Sequence, residues 1–397
     1  MFKLHQLEHI SRQEILAEFV KIGVDSVGAS VMSPKSFFLL VKVYDLSPKQ
    51  ANIIKQEMLG KGGEAAVARG TVDSSVATTD VVLMGTEKQY RAAIQKLRMQ
   101  PFKLAVLAQE LEDLLNNLRD RRSRVLHCRD RQLPLGERTL VMGILNVTPD
   151  SFSDGGRYNN IDNALAHARR MVEEGADIID VGGESTRPGY TPVSVEDELS
   201  RVIPVVEALA EGINVPVSVD TTKALVARRA LAAGAHLIND QWALRFDGEM
   251  ADVVAEYNAP IILMHNQRDT VYRDLIGDMV GYLCESVSMA EKAGISKDSI
   301  IIDPGFGLGK TAEQNLILLR RLRELTCLGL PILLGTSRKS TIGKVLGGLP
   351  EDQRIEGTGA TVALGIANGA DIVRVHDVKE MARVAKMADA VVRGNFV

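Results

Sequence analysis

The feature that most constrains this chain is a repeat. From about residue 138 onward, a short β-rich apolar run, a polar or glycine-bearing loop and a helix-periodic segment follow one another eight times. The apolar runs are Leu140 to Val147, Asp177 to Gly183, Pro216 to Asp220, Leu237 to Asp240, Pro260 to His265, Ile300 to Gly305, Pro331 to Gly335 and Asp371 to His376. Runs that are apolar throughout suit strands covered on both faces, as in a parallel sheet. Gly175, Gly234 and Gly369 sit where the preceding helices must end, and three junctions read almost alike: EEGADIIDV, AAGAHLIND and ANGADIVRV. Eight such modules predict an α/β fold, a closed (β/α)8 TIM barrel over 138–397, with an open eight-stranded sheet as the alternative.

Residues 1–120 have another rhythm. Strands are expected at Phe37 to Val43, Glu64 to Ala68, Asp80 to Met84 and Phe102 to Leu107. Ser47-Pro48 opens a helix that Gly60 to Gly63 stops, Thr86 and Gln89 form a capping box, and Glu110 to Leu118 is helix-periodic. This predicts a smaller N-terminal α+β domain of unknown role. The charged stretch Arg119 to Arg124 and the segment Leu133 to Arg138 predict a linker and barrel-bottom turn over 121–137.

Composition narrows the partners. A chain of 397 residues, 45% apolar and 25% charged, can bury a large core, while a net charge of -4 and 4% aromatics give no basic surface for nucleic acid. No apolar run approaches the roughly 20 residues of a membrane helix. Cys128, Cys284 and Cys327 are widely spaced and form no C-x-x-C, so neither a disulfide framework nor a zinc site is expected. The expected location is the cytoplasm.

The active site of such a barrel lies at the carboxyl ends of its strands. Those ends carry Asn146, Asp180, Asp220, Asn239, Asp240, His265, Asp303, Lys339, Arg374 and His376, a collection that a packed core would not choose. Any one of them reads most simply as a cap or turn former. Asp180, Asp220, Asp303, Lys339, Arg374 and His376 converging on one mouth need partners or a ligand, and suggest a polar, anionic substrate. Asp240 and His265 read as supporting residues. Two glycine motifs mislead: residues 305–311 resemble a phosphate-binding P-loop but have Pro304 where that loop needs glycine, and Gly357-Thr358-Gly359 ends in Val362 where a dinucleotide fingerprint needs small residues. The second reads as a helix start or tight packing.

Gly143-Ile-Leu-Asn-Val-Thr-Pro-Asp-Ser-Phe-Ser-Asp-Gly-Gly156 and Asp180-Val-Gly-Gly-Glu-Ser-Thr-Arg-Pro-Gly189 closely resemble the two signatures of the dihydropteroate synthase family. Ser218 to Thr221, Ile238 to Asp240, Asp303 to Gly307, Ser337 to Ser340 and Arg374 to Asp377 agree with it, so the resemblance covers about 138–397. It implies a transferase of folate biosynthesis that condenses 6-hydroxymethyl-7,8-dihydropterin pyrophosphate with 4-aminobenzoate, giving 7,8-dihydropteroate and pyrophosphate. By the same resemblance, Asp220, Asn239, Asp303 and Lys339 hold the pterin, and Asn146 binds Mg2+. Arg187, Arg374 and His376 bind the anion, and Asn146, Lys339, Arg374 and His376 carry the chemistry. Phe152, Thr186, Arg187 and Pro188 shape the aminobenzoate site, and Ser340, at a helix start, receives its carboxylate. A homodimer is also implied.

The alternatives are a pterin-binding corrinoid methyltransferase and a catalytically silent pterin-binding protein. The first has no pyrophosphate to bind, and the second would be expected to lose its charged site residues, all of which are present here.

Overall fold

The computed structural model describes residues 2–7, 11–119, 124–147, 157–184 and 193–394, the stretch 157–160 by its backbone alone. The chain divides into two compact units, Met1–Asp120 and Arg121–Val397.

The first unit holds helices α1 (Arg12–Lys21) and α2 (Ser26–Met32), then β1 (Phe38–Leu46), α3 (Pro48–Leu59), β2 (Glu64–Ala66), β3 (Thr79–Thr86), α4 (Glu87–Leu97) and α5 (Leu104–Arg119). Its antiparallel sheet runs in the order β1-β3-β2, and Val41, Val81, Leu83, Ile54, Tyr90, Leu97 and Leu104 share its core. The capping boxes at Ser47/Gln50 and Thr86/Gln89 start α3 and α4 as the sequence indicates. Phe102 to Leu107 is not a strand. Phe102 and Lys103 take left-handed backbone and α5 begins at Leu104, because Leu104, Ala108, Leu111 and Leu115 form one buried helical stripe that a short apolar run conceals. Helices α1 and α2 precede the first expected element. The signal was local: Ser11 and Glu14 make a reciprocal capping box.

The second unit begins with a hairpin of β4 (Arg124–Cys128) and β5 (Arg131–Leu135), where a linker and turn were expected. Then come β6 (Leu140–Asn146), α6 (Arg157–Glu173), β7 (Ile178–Gly182), α7 (Val195–Gly212), β8 (Val217–Asp220), α8 (Ala224–Ala232), β9 (Leu237–Asp240) and α9 (Met250–Glu256). The remainder is β10 (Ile261–Met264), α10 (Leu275–Lys292), β11 (Ile300–Asp303), α11 (Ala312–Arg321), β12 (Leu333–Leu334), α12 (Ser340–Val345), α13 (Ile355–Ala367), β13 (Ile372–Val375) and α14 (Val378–Arg393). Strands β6 to β13 form one parallel eight-stranded sheet, and an Ile302–Ile332 bridge joins its two ends, so the sheet closes into the barrel. The open alternative is thereby excluded.

The hairpin explains which end of the barrel can work. Leu126, Cys128, Leu133 and Leu135 pack with Leu140, Met142, Ile178, Leu237, Ile262, Ile301, Leu333 and Ile372, filling the amino-terminal end with apolar side chains. Arg129 and Arg131 fasten the hairpin by donating to the carbonyls of Leu231 and Ala235 and of Val215 and Ile213. Burial pushes the Cys128 thiol up to about 12, which leaves it an inert packing group. Only the carboxyl-end mouth remains for a ligand. Among the described residues no helix is long and apolar enough to cross a membrane.

Candidate active site

Side chains two residues apart along a strand point to the same face. Ile178, Leu237, Ile301 and Ile372 belong to the apolar floor, so Asp180, Asn239, Asp303 and Arg374 stand one layer above it on the inside of the barrel. Asp220 pairs in register with Asn239 and with Gly182, which places it at that layer's upper edge.

Arg374 knits this layer together. Its Nε donates to Asp180 at 2.6 Å and its Nη2 to Asp220 at 2.7 Å, while Asn239 Nδ2 donates to Asp180 at 3.2 Å. Asp180 is wholly buried, so this cation is what makes a carboxylate tolerable at that depth. The two carboxylates in turn raise the Arg374 guanidinium above its ordinary value. Three buried polar atoms of adjacent strands, Asp180 Oδ1, Ser218 Oγ and Asn239 Oδ1, have no hydrogen-bond partner among the described residues. Leaving such groups unpaired costs about 1–3 kcal/mol each, so the layer is built to receive hydrogen-bond donors.

Burial pushes the Asp220 carboxyl up to about 7 against the pull of Arg374, with Asp180 pushing the same way. Burial likewise raises Asp303 to about 6, opposed by the Gly305 N–H, which donates to its Oδ1 at 2.7 Å, and by Arg374 and Lys339. That N–H is aimed by a turn only glycine can make. Gly305 has φ 69°, and a Cβ there would stand 2.0 Å from the His265 carbonyl oxygen.

The loop after β12 delivers the remaining groups. Arg338 has left-handed backbone and is held by Asp377, which accepts from its Nε at 2.9 Å. Lys339 occupies the position just before α12 with extended backbone, and Ser340, exposed, is the helix's first residue. The Ser337 hydroxyl accepts from the His376 backbone N–H at 3.1 Å and sits 3.0 Å from His376 Nδ1. A hydroxyl carries one donor and two acceptor lone pairs, so Ser337 can meet Nδ1 in either tautomer of the ring. Burial, with Arg374 and Arg338 nearby, pushes His376 down to about 3, so at neutral pH the ring is an uncharged donor. Asn146 ends β6 half-buried, and Gly182 leaves room beside it, since a Cβ there would stand 3.6 Å from Asn146 Oδ1.

The structure thus brings Asp180, Asp220, Asn239, Asp303, Arg374 and His376 to one mouth, with the Lys339 ammonium acting on both Asp303 and His376. Phe152, Thr186, Arg187 and Pro188 lie outside the described residues. Asp240 caps its own loop, and His265 receives the buried Lys310 ammonium, which also donates to the carbonyls of Gly305 and Leu308. Both are supports. The 305–311 stretch is a turn with three left-handed glycines, and Gly357 lies inside α13 against Ile342, so neither glycine motif cradles a nucleotide. Sequence reasoning did not single out three contributors: Ser218, Ser337 beside the His376 ring, and Gln241, whose Nε2 donates to both oxygens of Asp220. For Ser218 the available signal was its parity on β8, two residues before Asp220; Ser337 and Gln241 lie beyond their strands, where parity gives no signal.

A family model described as pterin binding enzyme matches residues 142–376, the strands and loops that build this mouth. The chain belongs to that family. Within it, the chain is similar to the dihydropteroate synthase of Bacillus subtilis, 56% identical over 268 residues, covering 68% of this chain and 94% of that protein. The solved structure of Xanthomonas albilineans dihydropteroate synthase with 4-aminobenzoic acid is 47% identical with a TM-score of 0.65, covering 68% of this chain and 98% of that one. A Halobacterium salinarum protein named as a probable bifunctional folylpolyglutamate synthase/dihydropteroate synthase is 44% identical over 349 residues. That match takes in 86% of this chain and 42% of the relative, more than residues 121–397 alone supply, so it runs into the N-terminal unit.

Proposed function

We propose that this chain condenses 6-hydroxymethyl-7,8-dihydropterin pyrophosphate with 4-aminobenzoate, forming 7,8-dihydropteroate and releasing pyrophosphate. The activity is that of a dihydropteroate synthase, a transferase of folate biosynthesis. The observation that carries the reading is the buried polar layer around Arg374, where unpartnered acceptors on Asp180 and Asn239 lie beside the carboxylates of Asp220 and Asp303. A dihydropterin presents adjacent ring N–H and amino donors, and carboxylates and amide oxygens are their natural acceptors. Asp220, Asn239 and Asp303 take those donors, and Lys339 meets the ring's own acceptors.

The carbon–oxygen bond to pyrophosphate breaks with its electron pair leaving on oxygen, while the electron-rich ring supports the cationic methylene. His376 donates a ring N–H to the departing anion. Arg374 already engages two carboxylates through two of its three guanidinium nitrogens, so it holds the pterin layer together, and Nη1 is assigned to the anion. The aniline nitrogen of 4-aminobenzoate then forms the new carbon–nitrogen bond and sheds a proton that is acidic once the nitrogen is cationic, so positioning matters more than a strong base. Phe152, Thr186, Arg187 and Pro188 are assigned to that second substrate, Arg187 to the pyrophosphate as well, and Ser340 at the start of α12 to the aminobenzoate carboxylate.

Mg2+ belongs to the same proposal. The described residues contain no cluster of three or more His, Cys, Asp or Glu side chains suited to a metal, but a hard cation that keeps most of its ligands from water and substrate phosphates needs only one protein oxygen, and Asn146 Oδ1 with the space at Gly182 fits that need. When bound, it would neutralise charge on the leaving pyrophosphate. The homodimer is likewise proposed, and exposed Leu364 on α13 with Met387 and Val391 on α14 supports a second copy on that face. The cytoplasmic location completes the reading.

The test is turnover. Full-length protein with both substrates and Mg2+ should release dihydropteroate and pyrophosphate in equal amounts, and Asn146→Ala should lose most of that rate. Pterin binding without turnover would overturn the synthase reading in favour of a silent pterin-binding protein.

A further inference from the structure

We infer that Gln241 is a substrate-displaced latch on Asp220, an inference that rests on the pterin reading of that carboxylate. The Gln241 amide nitrogen stands 2.8 Å from Asp220 Oδ1 and 2.7 Å from Oδ2. One donor equidistant from both oxygens lies on the axis between them, along which a ring N–H and its neighbouring amino group must approach. Arg374 holds Oδ2 from another direction, through a guanidinium fixed at its other end by Asp180, so it stays while the amide moves. The amide therefore takes the place of the substrate's donors while the site is empty, keeping a buried carboxylate satisfied.

The backbone beneath Gln241 is pinned, which confines the motion to its side chain. Asp240 accepts from the N–H groups of Trp242 and Leu244 at 2.9 and 2.6 Å, and Ala243 and Leu244 are both held in left-handed backbone. The Tyr282 hydroxyl donates to the Trp242 carbonyl at 3.0 Å, and Arg245 reaches Glu285 at 2.9 Å while lying 3.7 Å over the Tyr282 ring. Helix α10 thus anchors the loop. Gln241, only 6% exposed, leaves Asp220 by rotating its own bonds, and substrate binding bears the cost of breaking that contact.

Removing the amide should then tighten pterin binding, the reverse of what loss of a direct ligand-binding group would do. Titration calorimetry of full-length protein with dihydropterin pyrophosphate, without 4-aminobenzoate, compares wild type, Gln241→Leu, Gln241→Asn and Asp220→Asn. Gln241→Leu should lower Kd by roughly three- to tenfold, the size of one net hydrogen bond. Gln241→Asn keeps the amide but is one methylene too short, so it should follow Gln241→Leu and serves as the folded polar control. In turnover, KM for the pterin should fall while KM for 4-aminobenzoate does not follow. An unchanged or raised Kd in both Gln241 variants overturns the latch. An Asp220→Asn variant that binds as tightly as wild type overturns the pterin reading itself, so the two failures are separable.

Discussion

The floor and the mouth of this barrel are built from the same strands, two residues apart. Ile178, Leu237, Ile301 and Ile372 fill a dry floor with the hairpin residues Leu126 and Leu133; Asp180, Asn239, Asp303 and Arg374 stand directly above them. The floor has no group that needs a partner. The mouth leaves three buried polar atoms without one and raises two carboxylates well above their ordinary range. The contrast teaches where stability and function part: the apolar layer is complete without a ligand, whereas the polar layer is completed by one.

Removal of Arg374 should have the largest effect. Arg374→Met leaves Asp180 and Asp220 facing each other in a buried site with no cation, and should cost about 3–5 kcal/mol of unfolding free energy together with nearly all activity, read by urea denaturation and turnover. Retention of native stability would show that the polar layer does not depend on its ion pairs. Leu126→Ala should cost about 3 kcal/mol by opening a void in the floor, yet leave KM for the pterin close to wild type. A large KM change would erase the division between floor and mouth. The smallest effect is expected at Ser337→Ala, where loss of one hydrogen bond to His376 should cost about 1 kcal/mol in transition-state stabilisation, seen in kcat more than in KM for 4-aminobenzoate.

How legible this was depended on the kind of signal. The eight modules were readable because the strands are mostly apolar and several preceding helices stop at a glycine, of which Gly175, Gly234 and Gly369 take positive φ; α9 stops at Tyr257 and Asn258 instead. Position at the carboxyl ends of strands marked Asp180, Asp220, Asp303 and Arg374 as site candidates. The hairpin plug was not readable, because its buried positions Leu126, Cys128, Leu133 and Leu135 alternate over only five residues per strand and their partner is a floor assembled from distant strands. Helix α5 was split for a related reason: Phe102 to Leu107 is too short to separate a strand from the start of a buried helix. Charge states lay further out of reach. The sequence assigns His376 to the anion by resemblance alone, and the burial with Arg374 and Arg338 that holds the ring well below its ordinary value emerges only from the fold. Gln241 lay hidden in plain view, since an amide beside a strand end has no signature until its distance to Asp220 is known.

On the proposed reading, carboxylates that burial raises toward neutrality accept the pterin's donors in their ionised form. The most direct measurement is the Kd of dihydropterin pyrophosphate as a function of pH from 5 to 8, for wild type and Asp303→Asn. Asp220 lies at about 7 and Asp303 at about 6, so both gain protons as pH falls through that window and stop accepting the ring's N–H groups. Wild-type affinity should therefore be highest near pH 8 and weaken progressively below 7, approaching tenfold per pH unit for each carboxylate once the pH is below its own value, while Asp303→Asn should bind weakly throughout and lose the lower part of that dependence. An affinity flat from pH 5 to 8 in both proteins would contradict the claim.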